Sequence, residues 1–484
     1  METGLTPLKF PVFPAHMGRM SIFRPLFVAA TLLTCAVFRT TAAETAPMEV
    51  TSLEELERIA STNDQVVRMK PGVYRFIDYL TPERIEKIAK TIDRANAGKR
   101  PPVPMIHLKG NGNHLDLTGV IFEIDTALYA KMPSGYLRAI LLTGQRNTVN
   151  GLTIRNSGAD QGSNGNVVSL LGEDNLMENI TVHVFGSFPH GYGDLLGKGG
   201  PNLVNPLKKQ SGFMVGGKRN TVRRCKVFSR AFGHCFYIQS ADGAVVEDCY
   251  AEGHVRPTSE MLRDTSGPAF DLGFKSVYMN RDGRSEITPG YMKSLSEDGF
   301  RTYGGVSHTT IRNCIAVNTR AGFEIAGNDT DADKTVVEGC VAKGCERGYL
   351  IGSNTIVRRS RGDVLYGPLL YLRGGRDSDI ELEVSGEPSN FTVHALATLA
   401  GANHRVKFSA NTPDSKLPAL PILLGYGMPR HAEMASPIEP APTENLKIIN
   451  ELDQIPVIEH GGAARCEVSS KIRKSAEKAS EVIW

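Results

Sequence analysis

Six residues in three neighbouring segments of the 484-residue chain have side chains that could together carry out acid–base chemistry on a charged substrate. They comprise one imidazole, two carboxylates, one guanidinium and two phenols: His234, Tyr237, Asp298, Arg301, Tyr303 and Glu324. A guanidinium can neutralise a carboxylate, an imidazole or phenolate can then remove an acidified proton, and a phenol can protonate a leaving oxygen. The set predicts β-elimination from a uronic acid: Arg301 or a loop lysine neutralises the carboxylate, His234 or Tyr237 is the base, and Tyr303 is the acid.

Two other interpretations of these residues stay open. Asp298 and Glu324 could stand on either side of a glycosidic bond, because a backbone separation of about 11 Å lets the side chains reach the roughly 6.5–9.5 Å that inverting hydrolysis needs. Alternatively, the protein is a non-catalytic glycan-binding or surface solenoid, and Arg301 and Glu324 form an ordinary cross-strand ion pair. The excess of His, Tyr, Arg and Lys over carboxylates favours the lyase.

The six residues share positions because one strand–turn–strand pattern recurs about ten times between Ile106 and Ser409. Each repeat begins with an apolar-x-apolar-x-Gly core or a close variant of it, and in four of them Asn113, Asn147, Asn175 or Asn220 follows the Gly. The repeats start at Ile106, Ile140, Val168, Phe213, Phe236, Phe300, Phe323, Tyr349, Leu370 and Ala397. The pattern predicts an all-β, right-handed parallel β-helix in which equal positions stack about 4.8 Å apart.

This repeat, over residues 106–409, resembles the parallel β-helix proteins of the pectin-lyase-like superfamily. The resemblance implies the fold, and it implies a set of activities that includes polysaccharide lyases, glycoside hydrolases, uronan epimerases and phage tailspikes. The paired-Asp strand of polygalacturonases, the Trp-Ile-Asp-His strand of pectate lyases and the Lys-Ser and Arg-His-Gly strands of the chondroitinase B and alginate lyase group do not occur here. The resemblance therefore transfers no catalytic residue.

Two insertions, at about 183–210 and 252–297, interrupt the repeat at the same corner, next to the six residues. Long loops on one side of a rigid solenoid typically carry binding residues. The predicted substrate-binding residues are Gln239 on a strand and, in the loops, His190, Tyr192, Lys198, Glu252, His254, Arg256, Arg263 and Lys275. Asp194 and Asp264 are further polar loop residues.

The composition limits which partners the chain can have. A formal net charge of +3 argues against a dedicated nucleic-acid binder, so the predicted partner is a polysaccharide. The oxygen-rich turn 328–333 is the candidate Ca²⁺ site, with ligands Asp329, Asp331 and Asp333, although it lacks the spaced Gly and terminal Glu of an EF-hand loop. The sequence indicates no other cofactor.

Four segments are predicted along the chain. Residues 1–43 form a cleaved secretory signal, with a doubtful extension ahead of Met20, which predicts a secreted or periplasmic protein. The apolar run is too short for a membrane span, and Thr34 is too large for a lipoprotein box before Cys35. Residues 44–100 form an N-terminal helical cap, 101–411 the β-helix and 412–484 an irregular, Pro-rich tail.

Four of the seven cysteines that follow the predicted signal occupy one repeat position: Cys225, Cys249, Cys314 and Cys340. In an exported protein, cysteines would ordinarily suggest disulfides. Because the four would stack in an interior row and free cysteine behaves as a small apolar residue, we expect a buried ladder of free thiols.

Overall fold

The computed structural model describes residues 46–92, 101–158, 164–187, 191–197, 203–204, 208–328, 333–386, 389–411, 417, 419–428 and 434–476. Within these ranges, parallel strands dominate, and each strand pairs with the equivalent strand of the next coil. The prediction of a parallel β-helix is confirmed. The predicted signal segment 1–43 lies outside the described residues.

The strand that begins each predicted repeat belongs to a sheet that we call the front sheet. Its thirteen strands in the described part of the chain are Pro102–Leu108, Tyr136–Leu142, Gly165–Leu170, Gln210–Lys218, Phe236–Asp242, Asp298–Thr302, Ala321–Gly327, Arg347–Ser353, Leu370–Leu372, Ala397–Leu399, Ile422–Leu424, Val457–His460 and Arg473–Ala476.

The remaining strands of each coil form what we call the back sheet. Among the described residues it has twenty strands: Met48–Val50, Val66–Met69, Gly72–Arg75, His114–Asp125, Thr148–Ser157, Leu176–Glu178, Thr181–Val184, Thr221–Arg223, Lys226–Ser229, Val245–Glu247, Tyr250–Glu252, Thr310–Arg312, Ile315–Val317, Thr335–Glu338, Val341–Lys343, Thr355–Gly362, Asp379–Val384, Arg405–Ala410, Lys447–Asn450 and Glu467–Ser469.

Short elements complete the fold. The helices are Leu53–Ala60, Phe76–Tyr79, Pro82–Thr91, Leu128–Lys131, Thr258–Met261 and Pro268–Asp271. Three small pairs join Val255–Pro257 to Met292–Ser294, Gly401–Ala402 to Thr443–Glu444, and Tyr426–Gly427 to Glu439–Pro440. No helix in the described ranges is long and apolar enough to cross a membrane.

The Asn residues of the turns bind successive coils together. The backbone N–H of Asn113 donates to Asn147 Oδ1 at 2.9 Å, that of Asn147 donates to Asn175 Oδ1 at 2.9 Å, and that of Asn175 donates to Asn220 Oδ1 at 3.0 Å. These four side chains are almost fully buried, so each bond satisfies a backbone donor that water cannot reach. The Asn ladder therefore fixes the register in which the coils stack.

A column of aromatic rings fills the interior behind the front sheet. Phe213, Phe236, Phe300, Phe323 and Tyr349 lie on successive coils, and neighbouring ring centroids are 5.0–5.2 Å apart with nearly parallel planes. All five side chains are buried. Because the column holds the coils in step, the residues just outside it also recur at matched positions.

The cysteines are free, as expected. Six of the seven in the described ranges are buried, and only Cys466 is partly exposed. Of these seven thiols, we expect a thiol reagent to modify at most Cys466 in the folded protein and all seven after denaturation, because burial raises the pKa of a thiol such as Cys345, here to about 12, and blocks access. A count of reactive thiols before and after denaturant checks this. Rapid reaction of two or more thiols without denaturant would contradict it.

The β-helix extends beyond both boundaries predicted for it. The strands at 48–50, 66–69 and 72–75 already belong to the back sheet, and the last three strands of the front sheet follow residue 411. The segment predicted as an irregular tail thus supplies further coils. Its strands have only two to four residues and are separated by Pro-containing connections, so the apolar-x-apolar-x-Gly pattern is not visible there.

Candidate functional site

The front sheet brings the six residues singled out in the sequence onto one outward face. Tyr237 pairs with Arg301, and Arg301 pairs with Glu324, in three consecutive strands. In the same register His234 lies beside Asp298, because Phe236 pairs with Phe300. Residues separated by up to 90 positions along the chain therefore form one cluster, which we call the front cluster.

His234 lies between three side chains that can donate or accept a proton. Its Nε2 atom is 2.8 Å from the hydroxyl of Tyr303 and 3.3 Å from Glu297 Oε2, and its Nδ1 atom is 3.1 Å from Asp298 Oδ2. The imidazole is 6% exposed, whereas Tyr303 is only half-buried. A proton can thus pass between the partly open phenol and a buried imidazole that two carboxylates surround.

Arg320 joins the carboxylates beneath this imidazole. It donates to Asp298 Oδ1 at 2.9 Å and to Asp194 Oδ2 at 3.1 Å, and it is 3.5 Å from Glu324 Oε2. With 2% of its surface exposed, it lies inside the protein rather than on the face. Its pKa is raised well above the usual range, because Asp298 and the other carboxylates outweigh the effect of burial.

Charges of opposite sign surround Arg320. Among the described residues, five carboxylates, Asp194, Glu297, Asp298, Glu324 and Glu346, contact five cations, Lys209, Lys293, Arg301, Arg320 and Arg373. Burial of charges is tolerated only when each has partners of opposite sign. Each of these ten charged groups therefore has at least one partner of opposite sign.

Arg301 and Tyr303 pack together at the exposed edge of the front cluster. Arg301 Nη1 is 3.1 Å from Asp298 Oδ2 and 2.5 Å from Glu324 Oε1, and its guanidinium lies 4.4 Å from the centroid of the Tyr303 ring. Two carboxylates thus already neutralise Arg301. Burial raises the pKa of Tyr303 although Arg301 opposes the rise, so the phenol is protonated at neutral pH.

Tyr237 has a different position from Tyr303. Its ring packs 5.5 Å from the imidazole of His234 and 5.9 Å from the ring of Tyr303, but its hydroxyl donates to Asn166 at 2.9 Å, away from His234. The side chain is buried, and burial strongly raises its pKa. Tyr237 therefore forms a wall of the cluster, and its hydroxyl does not contact the proton-transfer groups.

The buried carboxylate of Asp298 should make the stability of the protein depend on pH. Burial alone would raise its pKa, but Arg320, His234 and Arg301 hold it well below its usual 3.8. Asp298 therefore stabilises the fold above that value, and the unfolding free energy should fall as the pH drops below about 4, by about 1.4 kcal/mol per pH unit for each proton taken up.

Denaturant titrations at a series of acidic pH values would measure this slope. Asp298→Asn should flatten it, whereas Asp282→Asn, at a position whose side chain is mostly exposed, should not. An unchanged slope in Asp298→Asn would show that Asp298 is not responsible.

Solved structures similar to this chain include an alginate lyase in complex with G6, at 11% identity over 90% of this chain and 87% of that chain, with a TM-score of 0.47. The A-module of a mannuronan C-5 epimerase from Azotobacter vinelandii is 13% identical over 84% of this chain and 98% of that one, with a TM-score of 0.38. A GH87 α-1,3-glucanase catalytic domain is 12% identical over 89% of this chain and 68% of that one, with a TM-score of 0.41. What this protein shows of that likeness is the fold, because its strands pair in parallel from coil to coil as the sequence predicts.

No protein-family model matches this parallel β-helix protein, and no curated protein matches it by sequence. The roles of its residues must therefore be argued from its own geometry.

The two insertions of this β-helix reach the buried charges around Arg320 through Asp194 and Lys293, and they pack on each other. Their shared apolar cluster consists of Tyr192, Leu195, Leu196, Met261, Ala269, Ile287 and Leu295. Tyr192 donates to Asp264 at 2.7 Å, and Arg256 Nη2 is 2.6 Å from the other oxygen of Asp264. Tyr192 and Arg256, two of the predicted substrate-binding residues, thus meet at Asp264 and anchor one insertion to the other.

For the remaining substrate-binding candidates, the described ranges show no side-chain contact with the front cluster. Glu252 accepts a hydrogen bond from Tyr250 on the back sheet at 2.7 Å. Gln239 is exposed one position beyond Tyr237 on its outward face, and the loop residues His254, Arg263 and Lys275 are also exposed. His190 and Lys198 lie outside the described residues. The binding roles of all these residues stay predictions.

The candidate Ca²⁺ turn is described only in part. Asp329 and Asp331 lie outside the described residues. Asp333 is 3.0 Å from Nε2 of His308, whose Nδ1 is 2.8 Å from Asp242. Asp333 thus contacts an imidazole at the exposed end of the turn, and the turn stays a prediction as a metal site.

Three charged residues beside the front cluster share a register that the sequence prediction did not use. Glu297, Arg320 and Glu346 each lie three residues before an aromatic residue of the interior column, and Arg320 N donates to the carbonyl of Glu297 at 2.8 Å. The same repeat alignment could have found them. Lys293 comes from an insertion without a repeat, so no periodic pattern indicates its place beside Asp194 and Glu346.

Proposed function

We propose that the protein is an exported, carbohydrate-active enzyme that cleaves an acidic, uronic-acid-containing polysaccharide by β-elimination at the front cluster. The observation that carries the proposal is the 2.8 Å contact between the Tyr303 hydroxyl and Nε2 of His234. This contact connects a partly open phenol with a buried imidazole, which is what proton transfer at a bound sugar requires.

In the proposed reaction, Tyr303 transfers protons between the sugar and His234. The phenol oxygen takes the C5 proton of the uronate while its own proton passes to His234, the C4–O bond breaks, and a C4–C5 double bond forms. The proton then returns through Tyr303 to the leaving oxygen. Asp298 and Glu297 stabilise the imidazolium that exists between these steps.

Two cations at the rim can neutralise carboxylates of the substrate. Lys209 Nζ donates to Glu297 at 2.8 Å with 28% of the side chain exposed, and Arg373 donates to Glu324 at 3.2 Å with 36% exposed. Each cation keeps further N–H groups for a bound uronate. Arg301 contacts two carboxylates, Asp298 and Glu324, whereas Lys209 and Arg373 each contact one. Lys209 and Arg373 therefore suit the role that the sequence analysis assigned to Arg301 or a loop lysine.

Hydrolysis by Asp298 and Glu324 fits this geometry less well. Both carboxylates contact the same Nη1 atom of Arg301, at 3.1 and 2.5 Å, and both contact Arg320. A pair of hydrolytic carboxylates needs a sugar and a water molecule between them instead of two guanidinium groups. The geometry therefore favours elimination.

A panel of purified plant, algal and animal polysaccharides tests the proposal. We expect ultraviolet absorbance from an unsaturated uronate with at least one acidic polymer and none with neutral polymers. New reducing ends without this absorbance would indicate hydrolysis and would overturn the proposed mechanism. Binding without any cleavage would point to a glycan-binding solenoid.

A further inference from the structure

Arg138 lies on the front sheet in the same row as His234 and Asp298. Arg138 pairs with Asn166 and Asn166 with Ser211, and the row continues to His234 because Phe213 pairs with Phe236. Three coils separate Arg138 from His234, which corresponds to about 14 Å between their backbones. A chain-like ligand that runs along the solenoid across the front cluster would therefore pass Arg138.

The half-buried guanidinium of Arg138 has no carboxylate partner among the described residues. It lies 4.7 Å from the centroid of the Tyr136 ring and donates to Ser169 Oγ at 2.9 Å and to Met214 Sδ at 3.1 Å. Its Nε atom is buried and makes no hydrogen bond. The site cations Arg301, Arg320 and Arg373, in contrast, each contact at least one carboxylate.

Partial burial of a guanidinium costs free energy unless a ligand supplies the missing negative charge. A partly desolvated guanidinium with free N–H groups binds a carboxylate strongly, often through two parallel hydrogen bonds. The ring of Tyr136 fixes the plane of the group, so little side-chain freedom is lost on binding. Arg138 therefore has the chemistry of an unfilled carboxylate site.

A chain of polar contacts links Arg138 to the front cluster. The carboxamide of Asn166 is 2.9 Å from the hydroxyl of Tyr237, and it also reaches Arg138 Nη1 when its oxygen faces the guanidinium. The ring of Tyr237 packs in turn against His234. Asn166 and Tyr237 are buried, so these contacts link Arg138 to His234 just beneath the outward face.

We propose that Arg138 is a second carboxylate-binding subsite, which holds a uronate residue of the substrate distant from the bond that is cleaved. This inference rests on the proposed function, because it assumes that the same acidic polysaccharide lies across the front cluster. Arg138 is a specificity-determining residue that selects long, acidic chains and does not touch the reacting sugar.

The test compares long and short substrates of Arg138→Met. With a full-length acidic polymer such as alginate or polygalacturonate, KM should rise about tenfold to hundredfold and kcat should change less than twofold, because one charge-assisted contact is lost away from the reacting bond. With the shortest oligomer that the protein cleaves, KM should not change, because that ligand does not span three coils. Arg138→Lys should recover part of the loss.

Arg155→Met, which removes an exposed ion pair with Glu123 on the back sheet, is the matched control and should leave both KM values unchanged. An unchanged KM for the polymer in Arg138→Met, or an equal rise for polymer and short oligomer, would overturn the inference while the proposed function stands.

Binding measured without turnover separates the two claims. Calorimetry of Tyr303→Phe with alginate or polygalacturonate, and with the same polymer after reduction of its carboxylates to alcohols, should show affinity for the charged form alone. Adding Arg138→Met should weaken that affinity about tenfold to hundredfold. If both binding results are found although no polymer yields an unsaturated product, the subsite stands and the proposed reaction fails. Equal affinity for both polymers would overturn the subsite.

Discussion

Arg320→Met is expected to lower the unfolding free energy by about 3–5 kcal/mol, the range typical when one member of a buried ion-pair network is removed. The substitution keeps most of the apolar part of the side chain and removes the charge together with the N–H donors. It leaves Asp194, Asp298 and Glu324 close together without the cation that they share. Equilibrium denaturation measures the loss.

Arg405→Met is the matched control. Arg405 forms an ion pair with Asp379 on the back sheet, and the two side chains are 43% and 51% exposed. Exposed pairs contribute about 0–1 kcal/mol, so the control should lose no more than that. Arg320→Lys, which keeps one charge but fewer hydrogen bonds, should lie between the two. Equal losses in Arg320→Met and Arg405→Met would contradict the account of the buried network.

Tyr303→Phe is expected to lower kcat on the true substrate by about 10²–10⁴, the usual contribution of one proton-transfer group. It removes the hydroxyl that contacts His234 at 2.8 Å and keeps the ring that packs against Arg301. The unfolding free energy and the affinity for the polymer should therefore stay close to those of the unmodified protein. Steady-state rates, with calorimetry for binding, would measure both parts.

Tyr250→Phe removes a comparable hydroxyl from the other face of the solenoid, where it donates to Glu252 at 2.7 Å. It should leave kcat unchanged. A Tyr303→Phe enzyme within about threefold of full activity would show that another group carries the proton. Loss of activity together with loss of stability would point to a structural role for the hydroxyl.

The parallel β-helix and the position of the front cluster could be predicted because both follow from one period. Once Phe236, Phe300 and Phe323 are aligned, the outward neighbours Tyr237, Arg301 and Glu324 must share a row, whatever the loops between them do. Four cysteines at one repeat position became a row of buried free thiols for the same reason.

The contacts within the cluster could not be predicted from that period. Register places Tyr237 beside His234, but the direction of its hydroxyl depends on Asn166, two coils away. Asp194 and Lys293 come from insertions whose path has no repeat, yet they form ion pairs among the buried charges around Arg320. The sequence therefore indicated which residues lie together but not which side chains neutralise one another.

The C-terminal coils show a different limit of pattern recognition. The strands Ile422–Leu424 and Val457–His460 are short, and the connections before them differ in length from those of the central coils. A repeat can be recognised in a sequence only when the number of residues between its strands stays regular. The C-terminal coils are therefore identified by strand pairing in the structure and not by the sequence pattern.

The most direct test of elimination at the front cluster is the fate of solvent oxygen in the products. When an acidic polysaccharide is cleaved in water labelled with heavy oxygen, mass analysis should find no label in either product and one new end lighter by a molecule of water. Tyr303→Phe should form this product far more slowly. One heavy oxygen in each cleaved pair would show hydrolysis and contradict the account.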